Sequence, residues 1–511
     1  MARLHEYQGK AILAANGFII PVGRAASTAD EAMATAKELD VEVVIKIQAW
    51  TTGRAGIGGV AFAKKPADVR GHAARMLSMK VGQFPVEAVL VEQKLDIDRE
   101  FFLSFAIDDA ARAPVIIFAG GGGSGIEERA ASTRRIACDV KHGPVESAVT
   151  DAVRSCGLSP AHARQLAESI QKLFAAARSV EARSLEINPL VLTKNGEFVA
   201  ADCRITIDDY AVARHPDLKI EIAREFDHPP TALERVAYAV EQNDHRGTFY
   251  FAQLATAAQK ESKGLVGFHG AGGGGSMMSM DAIVNAGFTI ANFTDTSGNP
   301  SASKVYRASR IILAQPDLVG YFGSGSGVAS QEQYWSAYGL AKAFWELDPD
   351  IPAVIRLGGN TEDRAVDILH RTSKLLRAPV EGYRKTDAPA VIAGRFAELV
   401  AGTKGAKWKP RAPRVPKFVK DPKAIALPVK GGRVWIDTAR WKEIHRAVET
   451  HSGGLIVDRG GKPISALASE EFANKDSELL ACDVECRLAG VEGFYLELDI
   501  PGLDELIGGA R

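Results

Sequence analysis

Apolar residues recur three and four positions apart over Glu6–Asn16, Ala29–Leu39 and Ala67–Met79, the period of helices that bury one face. Short apolar runs, Val43–Ile47, Ala88–Val91 and Val115–Phe118, alternate with them and read as strands. To about Asp217 the pattern is α+β. A helical stretch over roughly Thr231–Lys260 leads into a second region where strand, glycine loop and helix repeat. There Gly264–His269, Thr289–Phe293, Leu318–Phe322 and Pro352–Leu357 are apolar enough for buried strands, with helical periods over Ala302–Leu313 and Gln331–Leu347 between them. Such alternation predicts a doubly wound parallel sheet with ligands at the carboxyl ends of its strands.

Past about Ala401 the composition changes. Trp408–Lys430 mixes Pro410, Pro413, Pro416, Pro422 and Pro428 with many lysines and arginines, which predicts an extended linker. Beyond it, Val434–Ile436, Leu455–Val457 and Phe494–Leu498 read as strands around a helix over Thr438–Glu449. The expected division is therefore a nucleotide-binding domain over 1–225, a helical connector over 226–262 and a doubly wound domain over 263–400. A Pro-rich basic linker over 401–432 and a small α/β module over 433–511 complete it, and the sequence gives that module no role.

Charge narrows the partners. With 62 Lys and Arg against 63 Asp and Glu, the chain has no basic field that argues for nucleic acid or an anionic membrane. No apolar run approaches the roughly 18 residues of a membrane span. Arg3, Glu6 and Lys10 interrupt the N-terminus, against a secretory signal. The 5 scattered cysteines are an odd number, so disulfides are not expected and a reducing cytoplasm fits. Cys482 and Cys486, four apart, would share a helix face but have no histidine beside them to complete a zinc site.

Two segments carry chemistry. Lys46 lies on a strand that runs into a glycine loop, an arrangement suited to nucleotide phosphates because the amine brings charge and glycine lets backbone N–H groups approach. Asn188 and Asp202, on paired strands, can offer two hard oxygens to one Mg²⁺, which leaves its other positions to phosphates and water. Together they describe an ATP site.

Leu4-His5-Glu6-Tyr7-Gln8, Lys46 with Gly53-Arg54, Val91-Glu92, Glu186-Ile187-Asn188-Pro189-Leu190 and Asp202 follow one another at the spacing of a known family. Over about residues 1–385 the chain resembles the succinyl-CoA synthetase β subunit and the related ATP-binding part of ATP-citrate lyase. The resemblance implies an ATP-grasp domain followed by a flavodoxin-like CoA-ligase domain. It implies that Lys46, Gly53 and Arg54 hold the phosphates, that Glu92 sits at the hinge beside the base, and that Glu100 faces the ribose or phosphates. Asn188 and Asp202 would bind Mg²⁺. Glu186 and Arg54 would be catalytic, Glu186 by orienting a phosphorylated histidine of the partner. In the family, ATP phosphorylates that histidine, the phosphate passes to an acid, and CoA displaces it. No phosphohistidine motif is recognisable here, and Gly71-His72-Ala73 falls within a helical pattern, so an α-type CoA-binding partner is expected to supply it.

The departures fall in the loops. Trp50-Thr51-Thr52-Gly53-Arg54-Ala55-Gly56 stands where the family usually has His-Ala-Gly-Gly-Arg-Gly-Lys, and Gly120–Gly125 is richer in glycine than its counterpart. In the second domain the acid pocket of the family is lined by two loops, here His269–Ser276 and Gly323–Val328. His269, Ser276, Ser324, Gly325, Ser326 and Arg356 are therefore the expected acid-binding residues, and their extra donors suggest an acid more polar than succinate. His269 satisfied by its neighbours, serines that only cap helices, and Arg356 in an interdomain salt bridge are the alternatives. The rival functions are an ATP-grasp ligase that works without CoA and a non-catalytic nucleotide-binding regulatory subunit.

Overall fold

The computed structural model describes the chain apart from residues 1, 52, 124–132, 243–246, 326–328, 449–474 and 509–511. Two compact units divide it, Met1–Pro230 and Thr231–Arg511.

Among the described residues the first unit holds two large antiparallel sheets and a two-stranded one, Lys80–Val81 with Phe84–Pro85. The smaller of the two large sheets runs in the order Gly23–Ala26, Val89–Gln93, Val43–Ile47, Val60–Ala63. Along Val43–Ile47 side chains alternate between faces, so Val43, Ile45 and Ile47 go into a core with Val69, Ala73 and Met76, while Lys46 points to the other side. Helices Ala29–Leu39 and Pro66–Leu77 cover the apolar face. The first begins at Thr28, whose hydroxyl accepts from the Glu31 N–H while Glu31 reaches back to the Thr28 N–H.

The larger sheet runs Ala2–Arg3, Arg204–Ile207, Ala182–Thr193, Ile97–Asp108, Ala113–Ala119, Arg134–Asp139, Gly143–Pro144, with Phe198–Ala200 paired to Ala182–Thr193. The long helix Pro160–Ser179 buries Leu166, Ile170, Leu173, Phe174 and Ala177, the stripe expected of a helix lying on a sheet.

The second unit is built on a sheet ordered Tyr250–Gln253, Asn292–Asp295, Leu265–Ala271, Leu318–Gly325, Ala353–Arg356, Val380–Tyr383. All of these pairings are parallel except the first, where Tyr250–Gln253 closes an edge antiparallel. Helices Gly273–Asn285 and Pro389–Gly402 pack on one face and Ala302–Ile312, Tyr334–Leu347 and Glu362–Ser373 on the other. The small antiparallel sheet Ile425–Val429, Gly432–Ile436, Phe494–Leu498 and the helices Trp441–Val448 and Asp476–Leu488 bury their apolar residues in that second core.

Three segments differ from their sequence patterns. Thr231–Lys260 is not one helix: it holds helix Ala232–Gln242 and then the edge strand Tyr250–Gln253, which buries Phe251. The Gln331–Leu347 helix starts only at Tyr334, because Ala329–Glu332 pairs with Gly359–Asn360. The Pro-rich stretch contains strand Ile425–Val429, and Pro428 fits there because that strand is an edge. The expected strand Leu455–Val457 lies outside the described residues. Among the described residues no helix is long and apolar enough to cross a membrane. All five cysteines are free.

Candidate active site

Helix Glu6–Ala15 opens with an acidic residue in its first turn, and Lys10 follows one turn later on the same face. Both are buried, and a buried charge must be paired. Glu6 supplies the pairing. Its Oε1 lies 2.8 Å from Lys10 Nζ and 2.9 Å from Lys46 Nζ, and its Oε2 lies 2.6 Å from Arg54 Nη1. Glu92 takes the same two lysines, 2.6 Å from Lys10 and 2.7 Å from Lys46. Both ammonium groups also donate to the Ala201 carbonyl, at 2.8 and 2.7 Å. Arg54 extends the chain of charges to Asp202, with Nη2 2.5 Å from Oδ2.

Burial alone would disfavour the charges of Glu6, Lys46 and Arg54, but the opposite charges win. Glu6 is held well below the usual carboxylate range because Lys46, Lys10 and Arg54 more than offset its desolvation. Lys46 is raised above the usual lysine range, since Glu6, Glu92 and Asp202 outweigh the cost of burying it. Arg54 is raised likewise by Glu6 and Asp202. Cys203, next in sequence to Asp202, has its thiol pushed far up by burial and then by the neighbouring carboxylates, so it is an inert neighbour.

Strand register sets the metal-ligand candidates. Leu190 pairs with Ala200 on one side and Glu186 with Arg204 on the other, so Asn188 stands opposite Asp202. Glu186 is two residues from Asn188, on the same face of the strand. A carboxylate and an amide oxygen at such paired positions are a donor set that suits Mg²⁺. Among the described residues no group of three or more His, Cys, Asp or Glu side chains could hold a metal. Both candidate oxygens already accept protein hydrogen bonds. Asn188 Oδ1 takes the Gly123 N–H at 2.9 Å, and Asp202 Oδ1 takes the Cys203 N–H at 2.7 Å.

The structure thus brings together Lys46, Arg54, Glu92 and Asp202, and places Glu186 and Asn188 on the adjoining strand. Gly53 adopts a positive φ of 63° with open space around it, as a loop approached by a ligand backbone-first requires. Glu100 lies against the second glycine loop, where a Cβ on Gly123 would come within 2.6 Å of its Oε2. Glu92, expected at the hinge beside the base, lies near the end of strand Val89–Gln93 and pairs with Lys10 and Lys46, two buried ammonium groups that need its charge. Glu6, within the Leu4–Gln8 segment, and Lys10, four residues on, have no site role in the sequence analysis, and their i,i+4 spacing is the one signal there that they pair.

The second unit disposes of its expected acid-binding residues differently. His269 is buried with both ring nitrogens engaged, Nδ1 2.6 Å from the Tyr321 hydroxyl and Nε2 3.1 Å from that of Thr296. Burial lowers its pKa to about 3, so the ring is a neutral core group and not a proton donor to an acid. Ser276 donates to the Gly272 carbonyl at 2.9 Å, and Ser324 shares its hydroxyl with Ser279 at 2.6 Å. Arg356 spends its guanidinium on the carbonyls of Asp387, Gly325 and Lys385, at 3.0, 3.2 and 2.7 Å, which braces a loop rather than awaiting a carboxylate. Ser326 lies outside the described residues. Asp295, which nothing in the sequence singled out, ties two turns together by accepting the Gly272 and Ser297 N–H groups. Its signal was only its place at the end of a parallel strand.

Comparison with known proteins bears on this arrangement. A model of the ATP-grasp domain matches residues 3–192. The β subunit of a GDP-forming succinate–CoA ligase from Thermus thermophilus is 34% identical over 371 residues, 72% of this chain and 93% of that protein. The ADP-forming succinate–CoA ligase β subunit 1 of Archaeoglobus fulgidus is 33% identical over 396 residues, covering 75% of this chain and 98% of its own length. Among solved structures, ATP citrate lyase from Methanothrix soehngenii, in complex with citrate and coenzyme A, superimposes with a TM-score of 0.62. It covers 78% of this chain and 99% of that one at 18% identity, a likeness of fold. With curated relatives matched over nine-tenths of their length or more, the chain belongs to the family of succinate–CoA ligase β subunits.

Proposed function

We propose that this chain is the ATP-binding, β-type subunit of an ADP-forming ligase that joins a small carboxylic acid to CoA. The observation that carries the reading is the convergence of Lys46 and Arg54 with Asp202, itself in register opposite Asn188. Lys46 and Arg54 bind and orient the phosphates, and the Gly53 backbone lets the nucleotide approach. Glu100, against the second glycine loop, faces the nucleotide's ribose or phosphates. Asn188 and Asp202 hold Mg²⁺, which when bound neutralises the charge of the transferring phosphoryl group. Glu186 orients the histidine that receives it, and that histidine belongs to an α-type partner with most of the CoA contacts. A reducing cytoplasm suits the free thiols. The hydroxyls of Ser276 and Ser324 are taken within the fold, so the proposal extends no further than a small carboxylic acid.

The test is Asp202→Ala, produced with the partner subunit. Mg²⁺-dependent ADP release falls by at least about a hundredfold, ~2.7 kcal/mol of transition-state stabilisation, while circular dichroism is unchanged. Near-normal turnover at ordinary magnesium would remove Asp202 from the metal site.

A further inference from the structure

The candidate metal-ligand oxygens of Asn188 and Asp202 already accept hydrogen bonds from the protein. Arg54 bonds Asp202 Oδ2, the Cys203 N–H bonds Asp202 Oδ1 and the Gly123 N–H bonds Asn188 Oδ1. Two of these donors are main-chain N–H groups, which leave a carboxylate or amide oxygen a lone pair for a cation. Arg54 is different. It brings a full positive charge to the place a cation would take, and its guanidinium is mostly buried, with 12% of the side chain exposed. Its other prong is anchored on Glu6, and Glu6 is fixed in turn by Lys10 and Lys46. A guanidinium pinned at one prong can exchange partners at the other with little movement.

We propose that Glu6 and Arg54 are positioning residues that keep Asp202 closed to free metal and release it when a nucleotide phosphate takes Arg54's second prong. This rests on the nucleotide reading above. A phosphate oxygen offers Arg54 the same charge-assisted, planar pairing as Asp202, so the exchange preserves its hydrogen bonds. Asp202 then gains the freedom to share a cation with the phosphates. Lys46 has no such part. Its contacts are Glu6, Glu92 and the Ala201 carbonyl, and it does not bond Asp202.

That difference gives the test its control. Mn²⁺ binding to the full chain, without nucleotide, is followed by electron paramagnetic resonance in the unaltered protein, Arg54→Gln and Lys46→Gln. Both substitutions remove one positive charge from one cluster, but only the first opens Asp202. Arg54→Gln is expected to bind Mn²⁺ at least tenfold more tightly than the unaltered chain, with Lys46→Gln changing it by less than threefold. Arg54→Lys keeps the charge but loses the two-pronged reach. It gives a smaller gain in the same direction and serves if the Gln variant does not fold. Equal gains in Arg54→Gln and Lys46→Gln would reduce the effect to general electrostatics and overturn the proposal, as would no gain in either Arg54 variant. Calorimetry of the unaltered chain with a non-hydrolysable ATP analogue runs alongside. No binding there overturns the nucleotide reading itself, whereas normal analogue binding with flat Mn²⁺ affinity overturns the closure alone.

Discussion

Both nitrogens of the His269 ring are held by hydroxyls, and burial pushes its pKa down to about 3 from an ordinary 6.5. In the unfolded chain the ring protonates as pH falls through about 6.5, while the folded ring does not, so the unfolded state binds more protons. Stability is therefore lost between roughly pH 6.5 and 3, by a few kcal/mol at most. The His269 ring resonance in a nuclear magnetic resonance titration is expected to stay in its neutral position from pH 7 down to about 4.5; a midpoint near 6.5 would contradict the burial. Glu6 acts in the same sense at lower pH. Its folded pKa is depressed, so its contribution is complete above about 4.5 and fades below it. At this scale the sequence was a partial guide. It showed Lys46, Asn188 and Asp202, whose neighbours in the chain fix their direction. It could not show that His269 would meet Tyr321 and Thr296, or that Arg356 would meet three carbonyls, because those partners lie on other elements.

Helices Ala302–Ile312 and Tyr334–Leu347 approach each other at Gly339, where an added Cβ would stand 2.4 Å from the Ala302 carbonyl oxygen and 2.8 Å from Val305 Cβ. No rotamer relieves a clash with backbone, so Gly339→Ala is expected to cost about 1–3 kcal/mol. Hydrogen exchange in helix Tyr334–Leu347 reads this as a speeding of about 5- to 150-fold, and unchanged protection would mean the helices are farther apart. Elements whose pattern is local were legible in the sequence: Ala29–Leu39, Val43–Ile47 and Phe494–Leu498 form as their periods predict. Those that depend on a distant partner were not. Tyr250–Gln253 is a strand because Asn292–Asp295 offers it an edge. Helix Asp476–Leu488 was missed because it buries Asp483 and Glu485 along with its leucines, which hides any amphipathic stripe.

Those two carboxylates tie the C-terminal segment into the second unit. Asp483 lies 2.6 Å from Lys342, which also pairs with Glu346 at 2.7 Å, and the Tyr495 hydroxyl donates to Glu346 at 2.9 Å. Trp408 is fully buried, with its indole N–H on the Leu313 carbonyl. Asp483→Ala leaves a buried ammonium short of a partner and is expected to destabilise this unit by about 3–5 kcal/mol. Replacing the pair together, Lys342→Met with Asp483→Leu, should recover much of that in denaturant unfolding, and a double variant no better than the single would show that the ion pair is not the cause. The cluster around Lys46 balances in a similar way: Lys10, Lys46 and Arg54 stand against Glu6, Glu92 and Asp202. The chain as a whole is nearly neutral too, at a formal −1. An incoming nucleotide, strongly anionic, thus meets no attractive funnel, and its capture is governed by unassisted collision. Stopped-flow mixing with MgATP at rising ionic strength should give an almost constant association rate, whereas a steep decline would reveal attraction at a distance. Discrimination among nucleotides must then reside in how slowly the right one leaves.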